Sequence, residues 1–174
     1  MQKLAVVYFP SQNFEDINQF RQKYDPNWYI IPPHITIVSP LTDIPEDLLL
    51  QHITKTVKKI KPFTIHLNKI AKSFDNDYLF LLVSKNNQKI IDLYNKLYSG
   101  LFKSSLQDNI PFIPHITLGY FGVEDNHCNS KLYEIANNEI KKMNIDIYCN
   151  FDSLTLIQGD EVSPAKIIKI FTLG

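Results

Sequence analysis

Two copies of Pro-His-Ile-Thr, at 33–36 and 114–117, constrain this 174-residue chain more than any other feature of it. The first stands in Ile31-Pro32-Pro33-His34-Ile35-Thr36-Ile37, the second in Phe112-Ile113-Pro114-His115-Ile116-Thr117-Leu118. Successive side chains of an extended strand alternate between its two faces. His and Thr of each copy therefore share one face, while Ile35, Ile37, Ile116 and Leu118 point into a core. Brought together, two such strands present two imidazoles and two hydroxyls to one pocket. That combination suits phosphate chemistry.

A third His-Ile-Thr, at His52-Ile53-Thr54, has different surroundings. Leu49, Ile53, Val57 and Ile60 recur at helical spacing, which predicts an amphipathic helix from Pro45 to about Ile60. On a helix His52 and Thr54 stand about 200° apart, so they cannot face one ligand. The third copy is read as coincidence.

The other elements fall into a repeat. Leu4–Phe9 reads as a buried strand stopped by Pro10. A helix through Phe14, Ile17, Phe20 and Tyr24 follows, with Ser11 as its cap. Trp28–Ile31 is expected to lead in extended form to the first motif strand. After the helix from Pro45, Phe63–Asn68 alternates as a half-exposed strand. The second half repeats that order: a strand at Tyr78–Val83, a helix through Ile90, Leu93, Leu97 and Leu101, a loop at 106–111, and the second motif strand. A polar connection at 122–129, a helix through Leu132, Ala136 and Met143, and strands at 145–149, 151–157 and 166–172 complete it. His34 and His115 stand 81 positions apart, and that shift overlays the halves within a few residues. An internal repeat of this kind sets the architecture. The expected fold is α+β: a single domain over 1–174, two lobes related by a pseudo-twofold, the repeat spanning about 3–69 and 78–157. A C-terminal strand at 165–172 completes a sheet.

The chain carries 18 basic and 18 acidic residues for a net charge of +0. That excludes an extended nucleic-acid-binding surface, which would be basic, and leaves room for a local cation that reads one phosphate or an RNA end. Two cysteines, Cys128 and Cys149, form neither a disulfide framework nor a metal motif. The first apolar run is too short for a secretory signal and no later run approaches a membrane span. A cytoplasmic protein without membrane contact is expected.

Histidine exchanges a proton near neutrality, with an ordinary pKa of ~6.5. A pair flanking one phosphorus can divide the work, the neutral ring taking a proton from the attacking oxygen and the protonated ring giving one to the leaving oxygen. Thr36 and Thr117 would donate hydrogen bonds to the non-bridging oxygens, where charge builds in the transition state. The scheme uses no cofactor, and the sequence holds no His-x-x-x-His or carboxylate-rich metal set.

Paired His-x-Thr motifs with hydrophobic flanks, one per half of a duplicated α+β chain, resemble the 2H phosphoesterase superfamily, in its LigT-like or 2′-5′ RNA ligase-like branch. Tyr24-Asp25-Pro26, Ile31-Pro32-Pro33-His34, Lys96-Leu97-Tyr98-Ser99-Gly100 and Pro114-His115-Ile116-Thr117 bring it close to the small bacterial phosphoesterases of that group. The resemblance implies a bilobal fold with mainly antiparallel sheets lining a central cleft and helices outside. It implies His34 and His115 as acid and base and Thr36 and Thr117 as phosphate ligands. The implied activity is a metal-independent phosphodiesterase acting on 2′,3′-cyclic phosphate or 2′-5′ bonds of RNA ends or small nucleotides. A module that binds such ends without turnover is the alternative. Neither Ile37-Val38-Ser39-Pro40 nor Leu118-Gly119-Tyr120-Phe121 sets a basic residue beside its motif to grip a second phosphate.

Weaker candidates surround these four. Tyr120 is a candidate for the cleft, although an uninterrupted strand would turn it away from His115, with Gly119 as the place where the strand could break. Phe9, Trp28 and Tyr29 could line the cleft or pack at its rim. Lys85, Lys103 and Lys166 could each supply positive charge. His66, between Ile65 and Leu67, is expected to face solvent.

Overall fold

The alternating stretches become strands that pair into two four-stranded sheets. The computed structural model describes residues 3–12, 14–42, 44–84, 87–100, 103, 111–123, 127–160 and 162–174. In chain order the elements are β1 (Lys3–Tyr8), α1 (Glu15–Tyr24), β2 (Ile35–Leu41), α2 (Glu46–Val57), β3 (Phe63–Lys72), β4 (Tyr78–Val83) and α3 (Gln88–Leu97). They continue with β5 (His115–Tyr120), β6 (Gly122–Val123), β7 (His127–Cys128), α4 (Ser130–Lys142), β8 (Ile147–Phe151), β9 (Ser153–Gly159) and β10 (Lys166–Thr172). Lys85, the end of the expected helix at Leu101 and most of the 106–111 loop lie outside the described residues. Among the described residues no helix is long and apolar enough to cross a membrane.

One sheet has the order β10-β9-β1-β2 and the other β5-β4-β3-β8, antiparallel throughout. The fold is α+β with duplicated lobes, and the lobes exchange elements. β9 and β10, from the end of the chain, complete the sheet of β1 and β2, while β3 of the first half pairs with β4 of the second. The helices cross over too: α1 packs against β5 and α3 against β2. Each half thus braces the motif strand of the other.

The main core runs through both sheets and all four helices. It includes Ile35, Ile37, Ile116 and Leu118 beside the motifs, each at most 1% exposed. Burying one such side chain fully contributes about 1.5–3 kcal/mol. A smaller cluster of Ala5, Val7 and Ile157, with Phe9, Ile31 and Ala165 against it, covers the opposite face of β1 and β9.

Several expectations need correction. Ser11 does not cap α1: the helix starts after Phe14 with no side-chain cap, and Glu15 and Asp16 in the first turn meet the positive end of the helix dipole instead. Trp28–Ile31 is a turn rather than an extended lead. The Asp25 carboxylate accepts from Asn27 N–H at 2.9 Å, and Trp28 N–H and Ile30 N–H bond back to the carbonyls of Asp25 (3.1 Å) and Asn27 (3.0 Å). An Asx turn of this kind outweighs the local bias of the prolines that follow. β3 runs on to Lys72, because a bulge at Asn68 lets residues 69–72 pair with β4. The 122–129 connection contains the short β6–β7 hairpin.

The third His-Ile-Thr lies in α2, with Leu49, Ile53 and Val57 buried. Thr54 donates to the Leu50 carbonyl one turn back at 2.7 Å, and the His52 ring bonds the last carbonyl of α3, Leu97, at 2.9 Å. This copy joins two helices.

Candidate active site

Both motif strands begin at their histidine, His34 just before β2 and His115 as the first residue of β5. The preceding prolines have no N–H to lose, which suits the entry to a strand. Each strand then carries a β-bulge directly after its threonine. Val6 and Val7 are consecutive, yet their partners are Val38 and Thr36. Leu79 and Phe80 are consecutive, yet theirs are Gly119 and Thr117. Ile37 and Leu118 are the extra residues, and each motif accordingly shows two buried positions in succession, Ile37-Val38 and Leu118-Gly119. Bulges re-aim side chains and occur preferentially beside functional sites.

The bulge in β5 supplies the break that Tyr120 needs to reach the cleft face, at Leu118 rather than at Gly119. Tyr120 pairs with Tyr78, which shares its face with Phe80 and hence with Thr117. The extra residue therefore brings Tyr120 onto the His115–Thr117 face, where its ring lies 4.9 Å from that of Tyr78. On the other sheet the registers place Thr36, Val7, Thr155 and Ile170 in one row. β2 and β5 lie against each other, although they belong to different sheets. The structure thus brings the two motifs together.

The imidazoles are held alike. His34 Nδ1 lies 2.9 Å from the Pro32 carbonyl and His115 Nδ1 lies 2.6 Å from the Ile113 carbonyl, in each case two residues back. A carbonyl only accepts, so Nδ1 carries the hydrogen in both rings. Nε2 of each neutral ring is left with a lone pair. Burial pushes His34 down to about 4; the charges of Arg21 and His115 add to this, while the Pro32 carbonyl and Asp25 oppose it. Burial also lowers His115, against the Ile113 carbonyl. The lowered values favour the neutral form of each ring, and a nearby negative charge would favour the imidazolium.

Two neighbours of the site went unnoticed in the sequence. Arg21 is 2% exposed and donates to Asp25 through Nε (3.0 Å) and Nη2 (2.7 Å), and to the Ile31 carbonyl through Nη2 (3.0 Å). It was legible as a cation on the apolar face Ile17-Phe20-Arg21-Tyr24, with an acid four residues on. Phe80 stacks on His115 with centroids 3.7 Å apart, whereas Phe9 stands 6.1 Å from His34 and tilted by 59°. Pairing of β4 with β5 creates the first contact, and nothing local to Phe80 announces it.

Trp28 and Tyr29 are exposed and meet edge to face at 6.2 Å. Lys103 and Lys166 are exposed. His66 does not simply face solvent: its ring lies flat on Tyr148 at 4.1 Å and bonds the Asp146 carboxylate. A groove of about 750 Å³ adjoins the first motif, running from Phe9, Ile31, Pro32 and Pro33 to Thr155 and Ile170. Among the described residues no three His, Cys, Asp or Glu side chains gather as a metal site.

The family model of the 2′-5′ RNA ligase superfamily matches residues 9–162. The chain belongs to that superfamily. Within the 2′-5′ RNA ligase superfamily it is 30% identical over 131 residues to a Bacillus licheniformis protein named "Putative phosphoesterase", covering 73% of this chain and 76% of the relative. It is 33% identical over 121 residues to a Bacillus cereus protein of the same name, covering 67% and 69%. Among solved structures, E. coli LigT complexed with 3′-AMP superposes with a TM-score of 0.62 at 19% identity, over 99% of this chain and 98% of LigT. A Thermus thermophilus protein superposes with a TM-score of 0.59 at 16% identity, over 98% and 97%. The fold is LigT-like.

Proposed function

We propose that this superfamily member is a 2H-type phosphodiesterase acting on 2′,3′-cyclic phosphate or 2′-5′ phosphodiester bonds of RNA ends or small nucleotides. His34 and His115 share the general-base and general-acid roles, and Thr36 and Thr117 hold the non-bridging oxygens. The observation that carries this reading is the matched pair of His-x-Thr strands, each bulged after its threonine and each presenting Nε2 from an imidazole tethered at Nδ1. Structures of LigT complexed with 3′-AMP and with phosphate support a nucleotide or phosphate as the ligand class. The reading takes 3–69 and 78–157 as the two copies of an ancestral unit, and no metal takes part in its scheme.

For a cyclic phosphate the step balances without a further reactant. A water oxygen bonds to phosphorus, its proton passes to the neutral imidazole, and the bond from phosphorus to the 2′ or 3′ oxygen breaks. The imidazolium gives its proton to that leaving oxygen. Hydrogen bonds from the threonine hydroxyls strengthen as charge grows on the non-bridging oxygens.

The test is hydrolysis, in EDTA, of 2′,3′-cyclic nucleotides and 2′-5′ oligonucleotides by the wild type and by His34→Ala and His115→Ala. Each substitution is expected to lower kcat by about 10²–10⁴-fold. Activity that survives loss of both histidines overturns the proposal. Binding without any turnover across the panel replaces it with an RNA-end-binding module.

A further inference from the structure

Lys69 shares a face and a row with a motif histidine. In the second sheet β5, β4 and β3 are neighbours; His115 pairs with Leu82, and Leu82 pairs with Lys69. Residues paired across strands point to the same face. Lys69 therefore stands in the His115 row, two strand spacings or about 10 Å away. The β3 bulge puts it there. Leu67 pairs with Val83 and Lys69 with Leu82, which leaves Asn68 as the extra residue. By strict alternation Lys69 would follow the buried Ile65 and Leu67 to the core side. Instead Asn68 and Lys69 are exposed in succession. The device that re-aims both motif strands thus also delivers a cation to the His115–Thr117 face.

The other strand lysines are placed elsewhere. Lys72 pairs with Leu79 and lies 4.5 Å over the Tyr133 ring, on the side of α4. Lys166 and Lys169 of β10 pair with Gln158 and Leu156, whose β1 partners Leu4 and Val6 pack on the main core. Lys3 shares the face of Val7 and Thr36 but stands at the opposite end of β1. Lys69 makes no ion pair among the described residues, and its ammonium is a point charge on a flexible stem. β5 is the edge strand that meets β2, so a phosphate between the two motifs lies on the side of His115 away from β3. Lys69 is on the other side, beyond the half-buried Leu82.

We propose that Lys69 is a substrate-binding residue that reads a second phosphate, the next one along the substrate from the reacting phosphate. The proposal rests on the phosphodiesterase reading and narrows its substrate class. For a 2′,3′-cyclic end the next phosphate is the one on the 5′ oxygen of the same nucleoside, whether terminal or shared with a preceding nucleotide. A bare cyclic mononucleotide lacks it and is the poorer substrate. Neither motif has a basic residue beside it in sequence; Lys69 brings that charge from a different strand.

One arm of the test needs no turnover. By calorimetry the wild type is expected to bind adenosine 3′,5′-bisphosphate about 10-fold more tightly than 3′-AMP. Lys69→Gln should abolish that preference and leave 3′-AMP binding nearly unchanged. Lys69→Arg should retain the preference, and so should Lys166→Gln, which removes the same charge from the other sheet. An equal preference in wild type and Lys69→Gln overturns the proposal, as does equal weakening toward both nucleotides or failure to bind either.

The second arm compares adenosine 2′,3′-cyclic phosphate, its 5′-phosphorylated form and a dinucleotide ending in the cyclic phosphate. Lys69→Gln is expected to raise KM about 10-fold for substrates that carry the second phosphate, with kcat unchanged. A rise with the dinucleotide alone assigns Lys69 to a shared phosphate, and a rise with the 5′-phosphorylated mononucleotide alone assigns it to a terminal one. A rise with neither, or an equal rise with the bare cyclic nucleotide, overturns the proposal. A protein that prefers the bisphosphate through Lys69 but hydrolyses nothing keeps the second-phosphate site and loses the proposed hydrolysis. One that hydrolyses all three substrates alike, with or without Lys69, keeps the hydrolysis and loses the site.

Discussion

Gly119 of β5 lies directly beneath Tyr24 of α1, so that a Cβ built on the glycine would stand 2.9 Å from the Cβ of the tyrosine and 2.9 Å from the Phe121 ring. Real Cβ atoms do not approach so closely, and neither a helix backbone nor a buried ring yields easily. This is the point where the first half's helix braces the second half's motif strand. Gly119→Ala is expected to destabilise the fold by about 1–3 kcal/mol. Urea unfolding should show a lower midpoint with an unchanged slope, and a midpoint within error of wild type would mean that α1 does not bear on β5 as described.

The Arg21–Asp25 pair is 2% and 5% exposed, deep enough for a lone partner to be costly. Asp25→Ala would leave a guanidinium out of water with only the Ile31 carbonyl for company. A loss of about 3–5 kcal/mol is expected, together with loss of the turn that Asp25 builds through Asn27. Replacing the pair by Met and Leu together should cost much less than Asp25→Ala alone. Equal losses in the two variants would show that the turn, not the charge, dominates.

How much of this was legible follows from whether the cause is local. Alternation placed Ile35, Ile37, Ile116 and Leu118 in the core, and helical spacing set His52 and Thr54 on α2, because both patterns are written in consecutive residues. The exchange of β3 and β9 between lobes was not legible, since strand partners are chosen across most of the chain. Tyr120 was a cleft candidate that needed a break in its strand, expected at Gly119, and the pairing of β5 with β4 places that break at Leu118. Arg21 is marked in the sequence only as a cation on the apolar face of α1 with an acid four residues on; its enclosure by Asp25 and the Ile31 carbonyl comes from the fold. The paired motifs were visible at once; what makes their two ends unequal was not.

Tyr120 and Tyr78 form a partly exposed aromatic pair on the His115–Thr117 face. Stacking a base on such a ring contributes about 1–3 kcal/mol. Tyr120→Ala is therefore expected to raise KM for a purine 2′,3′-cyclic nucleotide by about 5–150-fold and to leave inhibition by inorganic phosphate nearly unchanged. Tyr120→Phe should retain most of the affinity. Equal weakening toward nucleotide and phosphate would instead mark Tyr120 as structural support for Thr117.

Burial of His34 links stability to pH. Its folded value, about 4, lies below the ordinary 6.5, so between these values the unfolded chain binds the proton more readily than the folded one. Stability is intact above pH 6.5, falls as pH drops toward 4, and levels off below that. The loss from this residue is at most about 3.5 kcal/mol at ~1.4 kcal/mol per pH unit. His34→Gln should flatten that part of the stability curve measured by urea unfolding. An unchanged slope would mean that the ring is open to water.

The same lowered values set the pH dependence of the reaction. On the proposed mechanism kcat/KM reports the free enzyme with one of the two imidazoles neutral and the other protonated. Burial pushes His34 down to about 4 and lowers His115 from its ordinary 6.5. The kcat/KM profile should therefore be a bell whose maximum lies on the acid side of neutrality. kcat reports the substrate complex, where the phosphate charge between the rings favours the imidazolium and moves both limbs toward higher pH. The two limbs belong to the coupled pair and not to either ring alone, because each imidazole feels the other's charge. Measuring both profiles on a 2′,3′-cyclic nucleotide checks this: a kcat/KM maximum at or above pH 7.5, or a kcat profile lying on the acid side of the kcat/KM profile, would contradict the burial of the two rings as the source of their low values.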